Sequence, residues 1–153
     1  MSVLLPTDVE FQIPTDGKYV AFVRKGVSLL ASGAGYSNDD CKDIEVAIGE
    51  AVTNAICHGK PLTGEGRVYV RCRLTPHRLV MEIEDEGETS CLDIPCSAPD
   101  HDNEHGRGWI IMYNLMDRTT VRCTGNGLIV RLIKLRHRVR PHARLPHLSL
   151  NVA

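Results

Sequence analysis

Residues 43–59 read Asp-Ile-Glu-Val-Ala-Ile-Gly-Glu-Ala-Val-Thr-Asn-Ala-Ile-Cys-His-Gly. The recurrence of Ile44, Ala47, Ile48, Ala51 and Ala55 predicts one amphipathic helix with an apolar stripe turned to a core. Glu50, Asn54 and His58 fall four residues apart and stack on a different face. Asparagine has mediocre helix propensity because its side chain competes for backbone hydrogen bonds. Two readings fit the row: a solvated polar face closed by a cap at Gly59, or a carboxylate, a carboxamide and an imidazole held in register for chemistry.

Upstream, Ser37, Asn38 and Asp39 offer caps for this helix. Before them, Tyr19, Phe22, Val23, Val27 and Leu30 are expected to line one face of an earlier helix that runs out around Gly33 and Gly35. Residues 8–13 alternate as a first strand. Downstream, Pro61 and Gly64 mark a loop. Val68, Val70, Cys72 and Leu74 then alternate with Arg67, Tyr69, Arg71 and Arg73, which predicts a half-exposed strand. A turn at 75–78 leads into Leu79-Val-Met-Glu-Ile-Glu-Asp-Glu-Gly87, where Arg71 and Arg73 are expected to face Glu82 and Glu84. Residues 118–123 and 127–135 form a last hairpin across Gly125-Asn-Gly127. Such alternation, with one wet face, implies an α+β two-layer sandwich: a mixed, mostly antiparallel sheet covered by helices on one face.

Two glycine signals accompany these elements. Asp85 falls in phase with Met81 and Ile83, so a carboxylate points to the apolar side, which is costly unless it is hydrogen-bonded. Either it has rotated out to cap the turn at Gly87, or it awaits a ligand donor such as the amino group of adenine. Gly106-Arg107-Gly108 opens a helix carrying Ile110, Ile111, Leu115 and Met116. Glycines at a helix start let backbone N–H groups approach phosphate oxygens.

In this order the three elements resemble the GHKL, or Bergerat-fold, ATPase superfamily. Glu50-x-x-x-Asn54-x-x-x-His58-Gly59 resembles its N box, Asp85-x-Gly87 its first glycine box, and Gly106-Arg107-Gly108 its second. The small size and the run from Gly106 to Asp117 most closely resemble the anti-sigma serine kinases of the RsbW and SpoIIAB type, with a histidine-kinase-like ATPase domain, over roughly residues 8–135. The resemblance implies a serine/threonine kinase that uses ATP and Mg2+, sequesters a sigma factor and phosphorylates a small STAS-type anti-anti-sigma antagonist. It implies Glu50 as catalytic base, Asn54 as the Mg2+ ligand, Asp85 as the selector of adenine, Gly87 as room for the base, and Gly106, Arg107 and Gly108 as the phosphate cradle. Homodimers are common in that family. The chain departs from the pattern at Thr89, where a second glycine is usual, and at Leu128, where a threonine hydroxyl is usual. These departures keep a second class open: a nucleotide-binding partner-switching module without turnover. A detached histidine-kinase ATPase domain is a third, although the chain has no room for a phosphoacceptor helix pair.

Residues 88–105 make a long polar connection, which the resemblance marks as an ATP lid. It carries Cys91, Cys96, His101 and His105, whose spacing suits tetrahedral zinc, although the first pair is wider than the tightest zinc turns; polar lid residues near nucleotide are the preferred reading.

The remaining composition bounds the answer. At 153 residues, one domain over 1–135 followed by a basic tail, 136–153, is expected. No apolar run approaches the ~20 residues of a membrane span, and no signal peptide is evident. Six cysteines are therefore expected as reduced thiols in a cytoplasm. The net charge of −1 hides a polarity: residues 1–117 hold all 19 acidic residues and 10 of the 18 basic ones, and the rest hold 8 basic residues and no acid. The tail is read as solvated rather than as a nucleic-acid arm, because no aromatics interleave for base stacking.

Overall fold

The computed structural model describes residues 7–61, 64–87 and 106–136. Strand β1 (Thr7–Pro14) leads through a 3-10 turn (Gly17–Tyr19) into helix α1 (Val20–Gly33) and then α2 (Asn38–His58). Strands β2 (Arg67–Leu74) and β3 (Arg78–Asp85) follow, then α3 (Arg107–Leu115), β4 (Arg118–Thr124) and β5 (Gly127–Leu135). The sheet runs β1-β2-β3-β5-β4. Every pairing among the described strands is antiparallel, where a mixed sheet was expected. The chain reaches β5 through a tight hairpin from the edge strand β4, so β5 enters beside β3 in the opposite direction.

Helix α2 is the hub of the helical layer. Ser37 caps it, its hydroxyl accepting the N–H of Asp40 at 3.0 Å. All five stripe residues from Ile44 to Ala55 are buried against Val68, Val70, Met81, Ile83, Val130 and Leu132 of the sheet's inner face. Burying an Ile or Val side chain stabilises by roughly 1.5–3 kcal/mol, so this layer contact dominates the fold.

Two local expectations change. Phe22 is 63% exposed, and the buried stripe of α1 is Val23, Val27 and Ala31. Phe22 instead packs edge-on against Phe11 of β1, with ring centroids 5.9 Å apart. Arg71 does pair with Glu84, at 2.6 Å, but Arg73 turns the other way to Asp8 of β1, at 2.9 Å. Register explains this: Arg73 lies opposite Asp8 on one side and Val80 on the other, and Glu82 pairs with Arg131 of β5. Cys41, Cys57 and Cys72 are free thiols, but Cys123 is disulfide-bonded, so the expectation of six reduced thiols does not hold. No helix among the described residues is long and apolar enough to cross a membrane.

Candidate functional site

With its stripe on the sheet, α2 presents the Glu50–Asn54 row sideways, to α3. The contact is intimate because Gly108, in the first turn of α3, has no side chain. A Cβ there would sit 3.0 Å from Glu50 Oε2, 3.4 Å from Asn54 Nδ2 and 3.7 Å from Asn54 Oδ1. The helix begins at Gly106, which is buried and provides no side-chain cap, and Arg107 is exposed. The first-turn N–H groups, which have no partners within the helix, therefore lie beside a carboxylate and a carboxamide. His58, at the end of the row, is exposed.

Asp85 ends β3 with 5% of its surface exposed. Its Oδ1 accepts the N–H of Gly87 at 3.0 Å and that of Leu128 at 3.2 Å. The side chain thus closes the Gly87 turn, as the capping reading had it, but does so without rotating out of the interior. Burial pushes its carboxyl above the ordinary value, and the two backbone donors offset part of that.

Three glycines let the backbone close around this carboxylate. A Cβ on Gly59 would run into Asp85 Cβ and Ala55 O, and one on Gly127 would run into Asp85 O. Gly127 also has φ of +155°, which an L side chain rarely adopts. At Gly87 the space that a side chain would need is taken by the backbone of His58 and Gly59, with His58 O at 2.8 Å. The absent Cβ of Gly87 therefore serves the contact between the end of α2 and the end of β3. Glu86 secures the same turn from outside, accepting the Tyr69 hydroxyl and the Arg67 N–H, both at 3.1 Å.

The structure thus brings Glu50, Asn54 and Gly108 together, and Asp85, Gly87 and Gly59 together, with the last turn of α2 joining the two groups. Sequence reasoning missed Glu86, Gly127 and the Leu128 N–H as supports of Asp85; the parity of β5 and its Gly-Asn-Gly turn were the available signals. Leu128 is buried and offers no hydroxyl beside Asp85. Thr89, Cys91, Cys96, His101, His105 and the tail from residue 137 lie outside the described residues. A hollow of about 430 Å³ lies on the opposite, outer face of the sheet, lined by Asp8, Arg71, Arg73, Glu82 and Arg131. Its charges pair with one another, and it is remote from the α2–α3 row.

Among the described residues, three helices on one face of a five-stranded antiparallel sheet, with a Glu–Asn helical row against a glycine-opened helix, define an α+β two-layer sandwich. The chain belongs to the histidine kinase-like ATPase domain family, which matches residues 13–134. Over 135 residues it is 33% identical to the serine-protein kinase RsbW of Bacillus velezensis, covering 82% of this chain and 84% of that protein. The serine-protein kinase RsbW of Bacillus subtilis is 30% identical over the same shares. That of Staphylococcus epidermidis is 32% identical over 136 residues, 82% of this chain and 85% of its own length. A solved structure of RsbU and RsbW domains from Mycobacterium tuberculosis matches with a TM-score of 0.64 at 18% identity, over 86% of this chain. This chain spans 33% of that longer one, and the likeness speaks to the fold. The resemblance drawn from the three boxes is borne out.

Proposed function

We propose that this protein is an ATP-dependent protein serine/threonine kinase that also holds a sigma factor and acts on a STAS-type anti-anti-sigma antagonist. The observation that carries the reading is the bare Gly108 of α3 set against Glu50 and Asn54. Where a side chain would stand there is instead an approach to uncapped helix N–H groups, the donor set that suits a phosphate chain. The residues fit the implied metal as well: a carboxamide oxygen is a hard ligand for a hard cation. Asn54 would hold Mg2+, which would supply charge neutralisation on the phosphates during transfer. Glu50 accepts the proton of the attacking serine hydroxyl. Asp85, with Oδ1 engaged by Gly87 and Leu128, would accept the adenine amino hydrogen. Gly106, Arg107 and Gly108 hold phosphates, Arg107 adding a positive charge. The same reading includes a cytoplasmic site of action and a homodimer.

A module that binds nucleotide without turnover is the second reading, favoured by the apolar Leu128 beside Asp85. Mg-ATP titration followed by phosphotransfer to a serine-bearing antagonist separates the two. Glu50→Gln should leave ATP binding nearly unchanged and lower transfer by about 10²–10⁴-fold. No transfer by the wild type, or equal transfer by the variant, would favour the module.

A further inference from the structure

Lys134 is the second buried charged residue of the described chain, and nothing in the kinase reading uses it. It lies on β5 in phase with Val130 and Leu132, facing the helices rather than solvent. Its Nζ donates to Leu115 O, at the C-terminal end of α3, at 2.8 Å, and to Asp43 Oδ2 at 2.9 Å. It also lies 3.4 Å from Asp40 Oδ1. Asp40 in turn accepts the hydroxyl of the α2 cap residue, Ser37, at 2.8 Å, and the Lys134 carbonyl accepts the Tyr36 hydroxyl at 3.0 Å. One ammonium group thus ties β5, the start of α2 and the end of α3. Trp109 and Met112 bury α3 in the core, and the Met112 carbonyl accepts the Thr119 hydroxyl of β4 at 3.2 Å. Apolar burial is non-directional and resists separation better than sliding or rotation. Charge-assisted hydrogen bonds have fixed lengths and directions. Helix α3 has nine residues and behaves as a short rod, so its glycine end goes where its carbonyl end is held.

We propose that Lys134 is a positioning residue for phosphate binding: by clamping the C-terminus of α3 to the N-terminus of α2, it sets Gly106–Gly108 against Glu50 and Asn54. This rests on the nucleotide reading of that row. The test measures ATP and adenosine affinity of the full chain, wild type and Lys134→Met, with folding checked by circular dichroism. Adenosine depends on the Asp85 end of the site, and the triphosphate depends on α3. The expected result is a loss of about tenfold or more for ATP with adenosine unchanged, and restoration of much of the ATP affinity by Lys134→Arg. Unchanged ATP affinity, or equal losses for both ligands, would overturn the proposal. If Lys134→Met does not fold, Asp43→Asn, at the more exposed partner, is judged by the same two affinities. A wild type that binds neither ligand would sink the nucleotide reading itself, a result distinct from a wild type that binds ATP and a variant that binds it equally well.

Discussion

Adding one methyl group at Gly108 separates stability from function. The position is helical with no positive φ, so alanine suits the backbone, and Gly→Ala in a helix interior is worth up to about 1 kcal/mol. The added Cβ would stand 3.0 Å from Glu50 Oε2, closer than an ordinary contact, and 3.4 Å from Asn54 Nδ2. The Glu50 carboxylate can yield by a few tenths of an ångström at small cost, so the fold should survive Gly108→Ala and Tm should hold or rise. The methyl group would nevertheless fill the approach between the α3 N–H groups and the Glu50–Asn54 pair. Misplacing reacting groups by about 1 Å costs on the order of 10²-fold, so a loss of about 10–100-fold in phosphotransfer at saturating Mg-ATP is expected. Thermal denaturation and single-turnover transfer to a serine-bearing antagonist measure the two effects. Wild-type transfer and wild-type ATP affinity in a folded Gly108→Ala protein would refute the placement of phosphates at the start of α3 beside the row.

Asp85→Asn keeps an oxygen for the Gly87 and Leu128 N–H groups but removes the buried charge. Because burial raises the folded pKa of Asp85 above 3.8, this group's contribution to stability is fully present below 3.8 and is lost as pH rises through the folded value. The ligand-free variant should therefore be more stable than wild type at pH 7 by urea titration, with the gap closing as pH falls toward 3.8, and it should lose about 1–3 kcal/mol of ATP affinity. A constant gap across pH would show that the buried charge is not its source. Gly59→Ala would drive a methyl group into Asp85 and Ala55 O, and should destabilise by several kcal/mol, on the scale of core overpacking or worse; an unchanged urea midpoint would contradict the close approach. Sigma-factor binding should survive Asn54→Ala in pull-downs at saturating nucleotide, because Asn54 is committed to the phosphates; loss of the complex there would place the sigma surface on the row itself.

Much of the site was legible without coordinates because it is written in local periods. A step of 3.6 residues put Glu50, Asn54 and His58 on one face and Ile44 to Ala55 on another, and a step of two put Asp85 among Met81 and Ile83. Both hold because backbone geometry, rather than partners, sets them. What the row faces was decided elsewhere. Gly59 and Gly127 meet Asp85 from the ends of α2 and β5, Gly87 meets the end of α2, and the need for a missing Cβ at each appears only when those backbones meet. Strand order sent Arg73 to Asp8 and Arg131 to Glu82, and the close approach of Phe11 let Phe22 leave the core. Lys134 shows the division within a single residue. The parity of β5 alone turned it inward, toward an interior where a lone ammonium is costly. Only the packing of α2 and α3 over β5 brought Asp43 and the Leu115 carbonyl within reach of it, because neighbours distant in sequence are chosen by the whole fold and no local period encodes them.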